Sequence, residues 1–251
     1  MYREYLSRLY ELLAKDYNCT PQDFLREENV LTESAVIKGG RIYSGEKKFF
    51  SMVTLGGNAV VTADKALHPF LSEFIKGNKG HWLFELPKLF EINRELDKHG
   101  FTLKPSFHMQ LPYKDVMPKN DYPVKWYFER EIDRFYGDKR FTHAICDRYL
   151  ENCPDRIVVV ALDGDEIMGM AGCSEDAPGW FQIGIDVCPQ YRGKGVATYL
   201  VTLIKNEIIR RGGNPFYNSA VGNYHSMQTA ISCGFKPTWM EVAAKRKDEK
   251  E

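Results

Sequence analysis

The sequence predicts an α/β protein in which a mixed central sheet, flanked by helices, occupies the C-terminal half and follows an α+β N-terminal domain. Two observations predict this class. Short apolar strand patterns follow one another from residue 157 onward, and a glycine-rich turn near residue 193 leads from a strand into a helix. Strands that alternate with helices in this way are typical of a sheet with helices packed against it.

Composition narrows the classes of function. The chain has 251 residues, of which 43% are hydrophobic and 27% charged, the balance of a globular protein. Its 34 basic and 34 acidic residues cancel, so we expect neither nucleic acid nor a membrane as a partner. The six cysteines are scattered without metal-ligand spacing, and the charged first residues form no apolar signal core. We therefore expect no metal site and a cytoplasmic location.

The first half of the chain combines helix and strand signals. Apolar residues from Tyr2 to Tyr17 recur at helical spacing, and Thr20 followed by Pro21 is typical of the start of a short second helix. Residues 49–55 and 58–62 predict a hairpin that turns at two glycines. A helix is predicted at 86–99 and a strand at 101–109.

A polar stretch containing Pro112, Pro118 and Pro123 separates the halves. We place the domain boundary there, which gives an N-terminal domain at 1–117 and a C-terminal domain at 118–251. Beyond it, the sequence predicts helices at 126–136 and 141–150, then strands at 157–162, 166–173 and 181–188. A helix ending at Arg211, a strand at 216–221, a short helix at 224–233 and a last strand follow.

Both halves contain a helix that ends in Gly-Phe and is followed by a strand, at Gly100-Phe101 and at Gly234-Phe235. The N-terminal half is therefore either a degenerate copy of the C-terminal unit or an ordinary helix–glycine–strand arrangement. Two residues do not distinguish these alternatives.

The segment that indicates chemistry is Arg192-Gly193-Lys194-Gly195-Val196-Ala197, which connects a strand to the start of a helix. Glycines allow the backbone amides of such a turn to point toward one spot, and a helix N-terminus attracts anions. A pyrophosphate is the natural ligand, although an ordinary glycine-rich turn has the same spacing. The segment lacks the Lys-Ser/Thr pair of a Walker loop, and Thr198 stands where a dinucleotide-binding turn has its third glycine.

The segment resembles motif A of the GCN5-related N-acetyltransferases (GNATs), Arg-x-x-Gly-x-Gly/Ala. Asn223-x-x-Ser226, followed by Gly234-Phe235, is similar to motif B of that family. The resemblance covers about residues 120–240 and implies a GNAT fold there. The whole chain resembles bacterial two-part members of the superfamily, including acetyltransferases of the zwittermicin-resistance type, so the N-terminal half is a candidate degenerate GNAT-like unit.

The resemblance implies a site for acetyl-CoA. Backbone pairing of Ile185 and Val187 with the pantetheine arm is expected, and the Val187 amide would polarise the thioester carbonyl. Asn223 and Ser226 would contact the other side of the arm, although Asn223 is equally well explained as a helix N-cap. The pyrophosphate would be held by the amides of seven residues, Arg192, Gly193, Lys194, Gly195, Val196, Ala197 and Thr198.

The sequence departs from the family at the general acid. Many members have a tyrosine seven residues after the motif B asparagine, and Ala230 occupies that position here. The acid is then water or another hydroxyl, and three residues are near in sequence: Tyr217, Tyr224 and Ser226.

The candidate base is Asp186, which alternation places on the opposite strand face from Ile185 and Val187. Its carboxylate could take a proton from an incoming ammonium group, or it could be a solvated or ion-paired residue at a strand end. Lesser candidates are His143, Glu175 and His225.

The resemblance implies an acetyl-CoA-dependent N-acetyltransferase that acts on a primary amine of a small molecule by direct attack in a ternary complex. Two alternatives remain open: a catalytically weak acyl-CoA-binding or regulatory module, and an enzyme that acetylates a protein or peptide amine. A homodimer is compatible with the sequence.

Overall fold

The computed structural model describes residues 2–43 and 45–248, which form two compact units. One unit, here called the motif unit because it contains residues 192–198, comprises residues 2–5 and 42–43 together with Gln110–Pro237. The other, here called the flanking unit, comprises Leu6–Arg41, Gly45–Met109 and residues 238–248.

This division differs from the boundary expected at residues 117 and 118. The break falls at 109 and 110, and the end of the chain belongs to the flanking unit. The reason is strand pairing: residues 240–243 lie antiparallel to residues 51–54, so their backbone hydrogen bonds tie them to that unit. Sequence distance does not limit such pairing, and composition near residue 240 gives no sign of it.

The elements up to residue 112 mix helices and strands. Three of the strands pair in a sheet: residues 30–33 run parallel to residues 60–63, and residues 50–54 run antiparallel to residues 59–63. Apolar residues of this sheet and of the two later helices form its core. The helices are α1 (Tyr2–Asp16), α2 (His68–Phe74) and α3 (Leu86–Asp97), and the strands are β1 (Val30–Glu33), β2 (Phe50–Thr54), β3 (Ala59–Ala63), β4 (Phe101–Leu103) and β5 (Phe107–Pro112).

Most predicted elements of this half are confirmed. The first helix, the hairpin of β2 and β3, and the helix ending before Gly100 lie where they are expected. The strand predicted at 101–109 is two strands, β4 and β5, because Pro105 lies between them and has no N–H to donate to a ladder. β1 and α2 were not predicted.

The second half contains a mixed sheet. Four strands, at residues 124–128, 155–163, 166–177 and 180–187, are neighbours in antiparallel order, and a fifth, at 214–220, lies parallel to the last of them. The mixed sheet flanked by helices is therefore confirmed. The elements are β6 (Val124–Phe128), β7 (Asp155–Asp163), β8 (Glu166–Ala177), β9 (Trp180–Val187), α4 (Val196–Arg210), β10 (Asn214–Ala220), α5 (Tyr224–Ser232) and β11 (Phe235–Arg246).

The predictions of helices at 126–136 and 141–150 are wrong. Residues 124–128 form β6, which pairs with residues 157–161 of β7, and a 3₁₀ helix (Glu129–Phe135) follows. Aromatic residues at 126–128 favour a strand, and pairing with an apolar neighbour outweighs their helical spacing. Residues 141–150 contain turns and bends instead of a helix.

Helix α4 packs on one face of this sheet. Its first residue, Val196, lies against Gly169 of β8, where a Cβ would be 3.2 Å from a Val196 methyl group. Phe181 of β9 faces the same side, since it contacts Gly213 just after α4. By strand alternation, Ile183, residue 185 and residue 187 share this face, while residues 182, 184 and 186 share the opposite face.

Candidate active site

Strands β9 and β10 are paired at one end and separate toward the other. Residues 180–183 of β9 pair in parallel with residues 214–217 of β10. Both strands continue past this register, β9 to Val187 and β10 to Ala220. On its other edge, β9 stays paired with β8 as far as Val187. Residues 184–187 thus present a strand edge toward the gap, which suits an extended ligand that pairs with backbone groups.

The turn between β9 and α4 is built on two glycines with left-handed backbones. Gly193 has a φ of 77° and Gly195, immediately before α4, a φ of 80°. Side chains disfavour this conformation, so glycine is the residue that fits. The first amides of the 15-residue helix have no intrahelical acceptor. Because the turn before the helix is exposed, these amides and the positive end of the helix dipole face solvent.

The carbonyl group of Lys194, in the middle of this turn, is held from another segment of the chain. The Asn120 side-chain amide donates to it at 3.0 Å and the Tyr122 hydroxyl at 2.7 Å. Tyr199 of α4 in turn donates to the Tyr122 carbonyl at 3.1 Å. These contacts hold the carbonyl in one direction, which helps to point the amides of the turn in the other.

The role of Asn120 and Tyr122 was not predicted from the sequence, because both residues lie in the stretch assigned to the domain boundary. The sequence offers one signal for this role. An amide and a phenol side chain stand among prolines, in a segment without helix or strand, so regular secondary structure does not explain their presence.

A cleft of about 230 Å³ opens beside the start of α4. Gly195 and Thr198 of the turn and helix line it, and Lys119 and Asn120 line the facing side, with Tyr199 and Ser232 completing the wall. The cleft therefore combines free helix amides with a lysine side chain. That combination suits a phosphate-bearing ligand.

The valine expected to polarise the thioester lies at the end of β9. The Val187 carbonyl accepts a hydrogen bond from Nε of Arg192 at 3.2 Å, so the first residue of the motif is tied to the strand end. Ile185 and Val187 point toward the α4 face and are half-buried, which leaves their backbone, not their side chains, at the gap.

The motif B residues form the start of α5. Asn223 is its N-cap, and its Oδ1 accepts a hydrogen bond from the Ser226 amide at 3.1 Å. The Ser226 hydroxyl lies 2.9 Å from the Tyr217 hydroxyl on β10. The N-cap role is thus observed, and of the Asn223 side chain only the NH₂ group is left to donate to a ligand. Burial raises the pKa of Tyr217, so this phenol stays protonated at neutral pH.

Ala230, which stands where family members have their acidic tyrosine, is completely buried in the core of the motif unit. Its methyl group contributes to packing. Of the hydroxyls named from the sequence, Tyr217 and Ser226 are in mutual contact, and Tyr224 is 70% exposed.

Asp186, the candidate base, is engaged in three hydrogen bonds. Its Oδ2 accepts from the amides of His143 and Ala144 at 2.7 Å and 2.9 Å, and its Oδ1 lies 2.9 Å from Nδ1 of His143. The structure thus brings together two of the four sequence-derived candidate bases. The Asp186 side chain is 17% exposed, whereas that of His143 is 80% exposed.

The other two candidates lie elsewhere. Glu175 pairs with Arg156 at 3.0 Å, and its second oxygen accepts from the Gly179 amide at 3.0 Å. It stands opposite Phe181, at the far end of β9 from Asp186. His225 is exposed in the first turn of α5. Within residues 2–43 and 45–248, no group of three or more His, Cys, Asp or Glu side chains could hold a metal ion.

A helix that begins at a left-handed glycine beside two separating strands suits an extended, phosphate-bearing ligand. The comparison with protein families identifies the class of domain: residues 120–235 match the model of the acetyltransferase (GNAT) family. This domain belongs to the GNAT superfamily of acetyltransferases, whose donor is acetyl-CoA.

Solved structures with similar folds are distant in sequence. A putative GNAT acetyltransferase from Novosphingobium aromaticivorans has 16% identity and a TM-score of 0.46, covering 58% of this chain and 66% of its own. A GCN5-related N-acetyltransferase-like protein from Streptococcus suis has 13% identity and a TM-score of 0.49, covering 97% and 99%. A putative acetyltransferase from Salmonella typhimurium, solved with its cofactor acetyl-CoA, has 16% identity and a TM-score of 0.36, covering 52% and 96%. No curated protein sequence gives a significant match.

Proposed function

We propose that this protein transfers the acetyl group of acetyl-CoA to a primary amine of a small molecule, in a ternary complex and without a covalent enzyme intermediate. The observation that carries the proposal is the glycine-led N-terminus of α4, which opens beside the separated ends of β9 and β10. The proposal is supported by the succession of the helix N-terminus and the strand edge, which would accept the pyrophosphate and the pantetheine arm of acetyl-CoA in turn.

The pyrophosphate would be bound by backbone amides of residues 192–198. The left-handed Gly195 and the tethered Lys194 carbonyl support this assignment, since both direct N–H groups to the exposed side of the turn. Open space surrounds the position that a Cβ would take on Gly193, which leaves room for a phosphate. Lys119, across the cleft, would add a positive charge.

The pantetheine arm would lie between β9 and β10. On one side it would pair with the backbone of Ile185 and Val187, and the Val187 amide would polarise the thioester carbonyl. On the other side, the free NH₂ of Asn223 would donate to an amide oxygen of the arm. The Ser226 hydroxyl would contact the arm while bonded to Tyr217.

The chemistry needs a neutral amine close to the thioester carbon. Nitrogen attacks that carbon, the C–S bond breaks, and the CoA thiolate leaves and is protonated. We propose that Asp186, at the reaction end of β9, takes part in removing the proton of the amine.

A binding module that holds acyl-CoA without turnover is the second candidate. The observation in its favour is Ala230, since a buried methyl group occupies the position of the usual acid.

The location proposed for the protein, whichever of the two functions it has, is the cytoplasm. All six cysteines are free thiols, and none of the described helices is long and apolar enough to cross a bilayer.

The test is a turnover screen that measures released CoA with a thiol reagent, combined with calorimetry of acetyl-CoA binding. Acceptors should include aminoglycosides, polyamines, amino acids and peptides. Acetyl-CoA binding with turnover of a small amine supports the proposal. Turnover of peptides alone replaces the acceptor class, binding without any turnover favours the module, and absence of binding refutes both.

A further inference from the structure

We propose that His143 is the group that takes the proton from the acceptor amine, and that Asp186 acts through it as a positioning residue. The inference rests on the proposed N-acetyltransferase function and names a base that the sequence ranked below Asp186. It depends on the contact between the two side chains and on their unequal exposure to solvent.

The first argument is that the Asp186 carboxylate is already occupied. Both of its oxygens accept hydrogen bonds from residues 143 and 144, at distances of 2.7–2.9 Å. A carboxylate with one oxygen bonded to two amides and the other to an imidazole has little capacity left for an ammonium group. Its side chain is also mostly buried, so an incoming amine would meet His143 first.

The second argument concerns the tautomer of the histidine. An ionised carboxylate only accepts hydrogen bonds, so the ring nitrogen that faces it, Nδ1, must carry the hydrogen. The neutral ring then has its lone pair on Nε2, on the side away from Asp186. Because the His143 side chain is 80% exposed, that lone pair is accessible to a substrate.

The third argument is that the backbone under His143 is fixed to the sheet at the end where β9 leaves β10. A Cβ on Gly184 would overlap the His143 carbonyl oxygen, and one on Gly172 would overlap the carbonyl oxygen of Ala144. The two glycines are opposite each other on β9 and β8, so they form a flat place on which this segment rests. The imidazole is thus held by backbone contact as well as by Asp186.

The proton balance is complete without an added reactant. Nε2 of neutral His143 accepts one proton from the amine nitrogen as this nitrogen forms its bond to the thioester carbon and the C–S bond breaks. The imidazolium then returns the proton to solvent, and the thiolate takes one from solvent. For an amine that is neutral when it attacks, the products are the acetylated amine and CoA thiol, with no net change in protons. An acceptor that arrives as an ammonium ion first loses one further proton to solvent, so that the reaction then releases one proton in total.

Charged and titratable groups face His143 from the neighbouring strand and from its own segment. From β9 it faces Asp186, whose charge also helps to raise the pKa of the Tyr217 phenol on β10. β8 contributes Gly172, which has no side chain. On its own segment, Arg140 pairs with Asp138 and Lys139 with Asp147, all without contact to the ring among the described hydrogen bonds.

The experiment compares His143→Gln, Asp186→Asn and the double variant in full-length protein with the best acceptor from the screen. We expect His143→Gln to lower kcat by about 10²-fold or more, with acetyl-CoA affinity within about threefold of wild type. The pH dependence of kcat should differ between wild type and this variant, because the group that accepts the proton has been removed. The double variant should be no slower than the slower single one, because both residues act as one unit.

Two further arms separate proton transfer from a structural role. Added imidazole should restore part of the rate to His143→Ala, which a packing defect would not allow. His81→Gln, which removes an exposed imidazole from the flanking unit, should leave kcat unchanged. If the wild type acetylates an amine and His143→Gln does so at the same rate, this inference alone is overturned. Absence of amine acetylation by wild type overturns the proposed function and this inference together.

Discussion

Asn120 lies against Gly195: its side-chain nitrogen is 3.0 Å from the position that a Cβ would take on this glycine. The same nitrogen donates to the neighbouring Lys194 carbonyl. Gly195 is therefore required twice, once for its left-handed backbone and once for the close approach of Asn120. The turn that leads into α4 is specified by a residue 75 positions away as well as by its own glycines.

Gly195→Asp should abolish the rise in melting temperature that acetyl-CoA causes in the wild type. The new carboxylate would stand at the helix N-terminus where the pyrophosphate binds, and like charges repel there. The measurement is thermal unfolding with and without saturating acetyl-CoA. For micromolar affinity, the melting temperature of wild type should rise by roughly several degrees.

The matched control is Gly212→Asp at the other end of α4. Gly212 has a φ of 82°, so this variant carries a similar backbone strain and the same new charge. It should lose stability without ligand yet keep the full acetyl-CoA shift. A wild-type shift in Gly195→Asp would mean that the pyrophosphate binds elsewhere.

Removal of either tether on the Lys194 carbonyl should weaken acetyl-CoA binding modestly. Asn120→Ala and Tyr122→Phe each delete one hydrogen bond of about 0.5–1.5 kcal/mol, which corresponds to about two- to tenfold in Kd. Calorimetry measures the effect, and the two variants combined should weaken binding more than either alone. Tyr149→Phe, a change at an exposed tyrosine away from the turn, is the control. Unchanged affinity in the double variant would contradict the tether.

The sequence predicts the motif unit well where local pattern and tertiary structure agree. Gly193 and Gly195 predict the turn, and the short, mostly β-branched apolar run at 157–162 indicates a buried strand. The sequence misleads at residues 126–128, whose spacing fits a helix but whose aromatic side chains pack as a strand beside β7. Pairing decides there, and pairing is not visible in a local window.

The candidate site shows the same limit. Motif spacing locates Asp186 and Asn223, because both belong to elements next to the glycine turn. It cannot show that residues 143 and 144 occupy both oxygens of Asp186, since these residues lie more than 40 positions earlier in a segment without regular structure. Long-range side-chain contacts of this kind have no periodic signal in the sequence.

Arg41→Met should strongly destabilise the flanking unit. The Arg41 side chain is 3% exposed and binds two carboxylates, with Nε at 2.6 Å from Asp16 and the guanidinium end on Glu241. Its removal leaves two buried carboxylates, Asp16 and Glu241, with the single positive charge of Lys48 beside them. Breaking a buried ion pair in this way costs about 3–5 kcal/mol. Thermal or urea unfolding measures the loss.

The control for Arg41 is Lys139→Met, which breaks an ion pair with Asp147 in which the side chains are 77% and 67% exposed. Exposed pairs contribute about 0–1 kcal/mol, so this variant should unfold close to wild type. Equal stability of the two variants would show that the Arg41 cluster does not hold the unit together.

Asp155→Asn should change how stability depends on pH. Burial raises the pKa of Asp155 to about 6, and the nearby Asp176 carboxylate acts in the same direction, against the amide of Cys146 that donates to Asp155 at 3.2 Å. A carboxyl whose pKa is higher in the folded state binds its proton more tightly there than in the unfolded chain, where the ordinary value is about 4. Its contribution is therefore fully present below about pH 4 and is lost as pH rises to about 6.

Asparagine does not titrate, so the melting temperature of wild type minus that of Asp155→Asn should be largest near pH 4 and fall until it levels off above about pH 6. Expressed as the free energy of unfolding, the difference between the two proteins should change by about 2 kcal/mol over this range. Two pKa units correspond to about 2.7 kcal/mol, and the group keeps some contact with solvent. Asp147→Asn is the control: Lys139 lowers the pKa of Asp147, so its difference should instead grow as pH rises from acid. If the Asp155→Asn difference stays constant or grows between pH 4 and 6, Asp155 is ionised in the folded protein throughout that range and the proposed burial effect is wrong.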